Sequence, residues 1–212
     1  MHERLYKLGG VSFVLSGALL LAKNVLELLA GLPPPGGPEL VTWVVSRRAL
    51  FAGAVEVFFF AAVLLIPATV ALYESLAASH RRSAVVGCGI IAATIPVLFV
   101  LIIVEGRLAF PVFNIELRGH EATELVVSLY YGGLHAVALL FVVPTVVLSF
   151  AMRDRPHGRW ILVLGIAAAV FDVVGSYPWA IGLVLWLLSD ILFSAWFVCV
   201  GLSLYRAHAA RS

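Results

Sequence analysis

Six long apolar runs, at residues 8–30, 44–73, 83–104, 122–152, 160–178 and 181–205, constrain this chain more than any other feature. A helix rises about 1.5 Å per residue and the hydrocarbon core of a bilayer is about 30 Å thick, so some 20 apolar residues suffice to cross it. A soluble fold would have to leave much of six such runs in water. Composition agrees: 62% of the residues are hydrophobic and 12% charged, with mean hydropathy +1.06, where a soluble domain carries about 25% charged residues. In lipid every backbone polar group must be satisfied internally, which leaves helices as the means of crossing for runs of this length. The expected fold is all-α: a polytopic membrane bundle of six transmembrane helices, one domain over 1–212, with the lipid bilayer as its first partner.

The breaks between runs have local causes. Pro33, Pro34, Pro35, Gly36, Gly37 and Pro38 cannot continue a helix and should end the first run. Glu74–Arg82 and Arg153–Arg159 read as short polar turns, and 105–121 as the longest loop, either lying at the interface or folding over the mouth as a lid. Ser176–Trp179 is barely a loop. Trp43, Trp160 and Trp179 fall near expected helix ends, where an indole can keep its N–H wet. The first run is expected to be a span and not a cleaved leader, because it holds Lys23 and Glu27 and no small-x-small site precedes the proline turn.

Basic residues set the expected orientation. Arg4 and Lys7, Arg81 and Arg82, Arg153, Arg155 and Arg159, and Arg206 and Arg211 all fall on one face when the runs alternate direction. By the positive-inside rule that face is cytoplasmic, with both termini on it, in a multi-pass protein of the cell inner membrane. The opposite face mixes Arg47, Arg48, Arg107 and Arg118 with Glu39, Glu105, Glu116 and Glu121.

Several function classes drop out. A net charge of +2 without a basic stripe excludes nucleic acid as a partner. Cys88 and Cys199 lie inside apolar runs without a CxxC partner and read as small buried hydrophobes. No nucleotide-binding, zinc-protease or serine-hydrolase motif is placed where it would act. Nothing in the sequence names a cofactor.

The informative residues are polar ones inside the runs, since a charged group at the centre of a span costs about 2.5–3.5 kcal/mol on insertion scales. They share helical faces. Ser12, Ser16, Lys23 and Glu27 follow steps of four, seven and four, and Lys23 and Glu27 can pair as i and i+4. Arg48 and Glu56 share a face across Ala52. Glu124, Ser128, Tyr131 and His135 form another, as do Gly165, Ala168, Asp172 and Ser176, and Asp190 and Ser194 beside Trp186. The candidate ligand-binding set is therefore Lys23, Glu27, Arg48, Glu56, Glu124, Tyr131, His135, Asp172 and Asp190, with Glu56, Asp172 and Asp190 as the candidate catalytic acids. Glu56, His135 and Asp190 are expected near mid-depth, and Glu27 and Glu105 near the outer surface. The bland alternative is structural glue, with Lys23–Glu27 and Arg48–Glu56 as internal ion pairs. Against it stands a surplus of acids over bases at depth, a recurring feature of proton-coupled sites and catalytic acids. A divalent metal would need His135, Glu56, Asp172 and Asp190 to converge, and no metal is assigned.

The proline-rich first outer loop, the segment LYESL at 72–76, GRWILVLGIAAAV at 158–170 and WFVCVGLSLYR at 196–206 resemble a bacterial family of six-helix membrane proteins catalogued only as a domain of unknown function. The resemblance covers most of the chain and implies the topology. It implies no activity and no site residues.

The leading functional expectation is the binding or transport of a small polar or amphipathic molecule through an outward-facing polar cavity lined by carboxylates. One alternative is an intramembrane enzyme that uses a buried carboxyl as general acid on a lipid-like or isoprenoid substrate. Another is an accessory subunit of a membrane complex, or a homo-oligomer, packed through a small-residue face such as Gly165, Ala168 and Ala169.

Overall fold

A computed structural model describes residues 2–117 and 119–209. Arg118 and Arg211, counted above among the basic residues, lie outside the described residues. The chain runs through α1 (His2–Ala30), α2 (Gly37–Ser46), α3 (Arg48–Leu76), α4 (Arg81–Ala109), α5 (His120–Ala151), α6 (Gly158–Gly175), α7 (Pro178–Ile181) and α8 (Leu183–Ala209). Six of these, α1, α3, α4, α5, α6 and α8, are long and apolar enough to span a membrane. The fold is the expected all-α bundle.

The boundaries differ from the sequence reading in two instructive places. The second run does not start at 44: residues 37–46 make a separate short helix, α2, with Pro38 in its first turn, and the chain breaks at Arg47 (φ −114°, ψ 12°) before α3 begins. The indole N–H of Trp43 is accordingly buried rather than wet, and it donates to the Ala30 carbonyl at 3.1 Å. There it satisfies one of the orphan carbonyls at the end of α1. The third span runs on to Ala109, so Glu105 belongs to α4 and not to a loop.

The spanning helices form a closed ring. α1 packs on α3, α3 on α4, α4 on α5, α5 on α6, α6 on α8, and α8 back on α1. The last contact is close because Gly10 and Gly201 face each other, each leaving no room for a Cβ on the other. Packed helices sit 8–10 Å apart, to order of magnitude, so six in a ring leave an axial space about as wide as one more helix. Large side chains fill its lower part: Phe13, Phe197, Trp196 and Phe141 are all buried, with Phe13 and Phe197 rings 5.4 Å apart. The outward faces carry exposed apolar residues such as Phe60, Val100, Ile103 and Val170, as lipid contact requires.

The two ends differ. At one end Arg155 donates to the Ser75 carbonyl at 2.8 Å and Arg206 lies 2.7 Å from the His157 ring, bringing the basic turns together. At the other, the 110–117 loop makes a tight turn bridged between Val112 and Ile115. Arg107 donates to the Ile115 carbonyl at 2.8 Å, which ties this loop to the end of α4.

Candidate functional site

The polar face of α1 turns inward. Ser12, Ser16, Lys23 and Glu27 are all buried. Lys23 Nζ lies 2.7 Å from Glu27 Oε2, with side chains 4% and 0% exposed. The Tyr130 hydroxyl donates to the other oxygen, Glu27 Oε1. The Lys23 ammonium also lies 5.1 Å from the centre of the Phe58 ring and 5.6 Å from that of Tyr130, so the charge is boxed by two π faces. Glu105 reaches the same place from α4. It is wholly buried beside Glu27 and the Tyr130 phenol, yet neither of its oxygens has hydrogen-bonding geometry to a partner.

A second pair of acids comes from α6 and α8. Ser189 Oγ donates to Asp172 Oδ1 at 2.5 Å. The next residue, Asp190, has one wholly buried oxygen, Oδ2, with no hydrogen-bond partner, and it sits in the field of Lys23, Glu27 and Asp172. On α5, His135 Nδ1 lies 3.1 Å from the Ser176 carbonyl. A carbonyl only accepts, so the ring hydrogen is on Nδ1, and Nε2 is the acceptor of the neutral ring.

Between these groups lies a cavity of about 120 Å³, the part of the axial space that the aromatic side chains leave open. Every spanning helix contributes to its wall: Lys23 and Asn24 from α1, Phe58 from α3, Leu98 from α4, Tyr131 and His135 from α5, Asp172 from α6, and Trp186 and Asp190 from α8. Above it, at the end away from the basic turns, a surface groove of about 810 Å³ runs between the proline loop, α5 and Trp179, and carries Glu121 and Glu124. Tyr131 lines both spaces. The 110–117 loop lines neither, so it is no lid over this groove.

Of the residues singled out from the sequence, Lys23, Tyr131, His135, Asp172 and Asp190 meet on the cavity. Glu27 stands behind Lys23 as its counter-ion. Glu124 lies in the groove, where Oε1 accepts the Gly37 backbone N–H at 2.7 Å and ties the proline loop to α5. Arg48 and Glu56 do not belong to the site, nor do they pair. Eight residues along a helix separate them by about 12 Å. Arg48 reaches into the loop instead, 3.3 Å from Glu116. Glu56 is exposed on the outer face of α3, in line with Phe59, Phe60 and Val63. The small-residue face of α6 is likewise spent inside the bundle: Gly165, Ala168 and Ala169 are buried, with Gly165 against Ser149 and Trp196, so it offers nothing to a partner.

The sequence reading missed Glu105 as a buried member of the cluster, along with Tyr130, Ser189 and Phe58. A signal for Glu105 exists. Leu98, Leu101, Ile102, Glu105, Leu108 and Ala109 are one buried stripe at helical spacing, and the apolar period resumes after the glutamate. Among the described residues no three His, Cys, Asp or Glu side chains come together to hold a metal ion. Compared with known proteins, the chain matches no family model, no curated protein and no solved structure.

Proposed function

We propose that this chain is an integral membrane protein that takes a small polar or amphipathic molecule into the axial cavity from the groove, past Tyr131. The observation that carries this reading is Asp190, which makes no hydrogen bond to another side chain or to backbone and lies in the wall of a cavity to which all six spanning helices contribute. A buried polar atom left unsatisfied costs roughly 1–3 kcal/mol, and more for a charged group, which a bound molecule that donates to it would recover. The gathering of Arg81, Arg82, Arg153, Arg155 and Arg206 at the closed end supports a cytoplasmic placement of both termini, with the groove opening outside the cell membrane.

The test is a thermal-stability screen of the purified protein in mild detergent against small neutral, anionic and cationic molecules. A ligand that binds only the folded state raises the unfolding temperature. Ala138 lines the cavity, and Ala138→Trp fills it. At least one class should stabilise the wild type and lose its effect in a folded Ala138→Trp variant. A screen without any shift, or shifts that survive the tryptophan, would overturn the reading.

A further inference from the structure

We infer that the molecule the cavity takes is an amphipathic amine: an ammonium head held by Asp190 and Asp172, with a small apolar or aromatic body behind it. The inference rests on the proposed binding function and adds the ligand's charge and shape.

The first argument is charge. The cluster contains four carboxyl groups, Glu27, Glu105, Asp172 and Asp190, and one base, Lys23. Lys23 is committed to Glu27 by the 2.7 Å ion pair, with its remaining surface under the Phe58 and Tyr130 rings. His135 spends its Nδ1 hydrogen on Ser176 and adds no cation in its neutral form. Tyr130 and Tyr131, the other titratable groups facing the acids, are neutral phenols. The acids therefore outnumber the base, and an anionic ligand would add to that surplus. A cation or protons would cancel it.

The second argument is hydrogen-bond polarity. Three groups left without a partner at the cavity can accept: the Asp190 carboxyl, the second oxygen of Asp172 beyond the one Ser189 bonds, and the Nε2 of His135; they stand beside the donors of Asn24, Tyr131 and Trp186. Three acceptors around one space suit a group with several N–H donors. The third argument is the remaining wall. Phe58, Phe141, Trp186 and Phe193 give it aromatic faces, which attract an organic cation and pack an apolar body. The groove continues the pattern, since Glu121 and Glu124 flank the approach to Tyr131 and, among the described residues, no lysine or arginine lines it.

Protons and an ammonium compete for the same carboxylates. Affinity for the amine therefore falls as the medium is acidified, whereas binding of a neutral molecule to the apolar wall would not follow pH in this way.

The experiment uses three probes of matched shape on the full chain in detergent: 2-phenylethylammonium, the neutral 2-phenylethanol and the anionic phenylacetate. Binding is followed by calorimetry and thermal shift at several pH values. The ammonium should bind at least tenfold more tightly than either control and weaken at low pH. Asp190→Asn should erase at least tenfold of that preference while keeping the unfolding temperature of the unliganded protein, and Asp172→Asn provides a second variant should the first fail to fold. Equal binding of 2-phenylethanol, or retention of the ammonium preference in folded Asp190→Asn and Asp172→Asn, would overturn the amine assignment and leave the cavity as a binding site. Failure of all three probes, together with an empty wider screen, would remove the binding function itself.

Discussion

Lys23 and Glu27 show how one turn of helix decides what a membrane interior can hold. Neither charge would be stable there alone, but at i and i+4 they meet at 2.7 Å, and Tyr130 bonds the carboxylate oxygen that the lysine does not use. Removing one partner of a buried ion pair is far worse than removing both, because the survivor is left uncompensated. Glu27→Gln should therefore destabilise the protein by roughly 3–5 kcal/mol in reversible denaturation from detergent micelles, while the double variant Lys23→Met, Glu27→Leu recovers most of that loss. A double variant as unstable as the single one would mean that the pair holds the bundle together directly. Tyr130→Phe removes a single hydrogen bond to a charged group and should cost about 1.5–3 kcal/mol in the same assay. The pairing was legible in the sequence, since spacing alone fixes i, i+4 geometry. Glu105 is harder to read, because a glutamate followed by Gly106 and Arg107 resembles a helix end, and only the buried stripe resuming at Leu108 and Ala109 marks the position as interior.

At the level of elements, the sequence carried the number and order of the spans well, since span length is set by bilayer thickness and breaks by proline and glycine. It carried azimuth less well. Polar residues on one helix face were correctly grouped for α1 and α8, where the grouped face is the one turned to the ring interior. For α3 the polar face failed as a guide. Glu56 shares its face with Phe59 and Val63, and that stripe points outward, because α3 meets its neighbours through Ala54, Phe58, Ala61 and Leu65 instead. Tight helix contact is most exacting at α6, where a Cβ on Gly165 would collide with Ser149 Oγ and with the Trp196 indole that donates to it at 2.8 Å. Gly165→Ala should cost about 1–3 kcal/mol by overpacking. Gly132→Ala, on an α5 surface where an added Cβ meets nothing within 4 Å, should be neutral or slightly stabilising. Paired unfolding curves of the two variants check this, and equal effects would contradict the packing described for α6.

For the whole molecule, the ring explains why there is a site at all. Six helices closed on one another leave an axial space; aromatic side chains fill one part of it, and Lys23, His135, Asp172 and Asp190 line the rest, with Glu27 behind Lys23. No pattern along the chain reports that closure: the polar faces implied a cavity lined by carboxylates, but its walls are set by the ring, which α8 completes by packing back on α1. The proposed orientation predicts that a cysteine at Ala78, in the turn after α3, reacts with an impermeant thiol reagent only in opened cells, and one at Phe113, 94% exposed at the far end, reacts in intact cells. The reverse pattern would invert the topology. The central claim, a wet cavity reached from the groove, is tested most directly in a chain whose native cysteines, Cys88 and Cys199, are replaced. A thiol reacts as its hydrated thiolate, so Ala138→Cys on the cavity wall should be modified by a small ammonium-bearing methanethiosulfonate, and Ile166→Cys on the outer face of α6 should not. Modification at 138 that is slowed by 2-phenylethylammonium is the result this account predicts; a cysteine at 138 as inert as the one at 166 would contradict it.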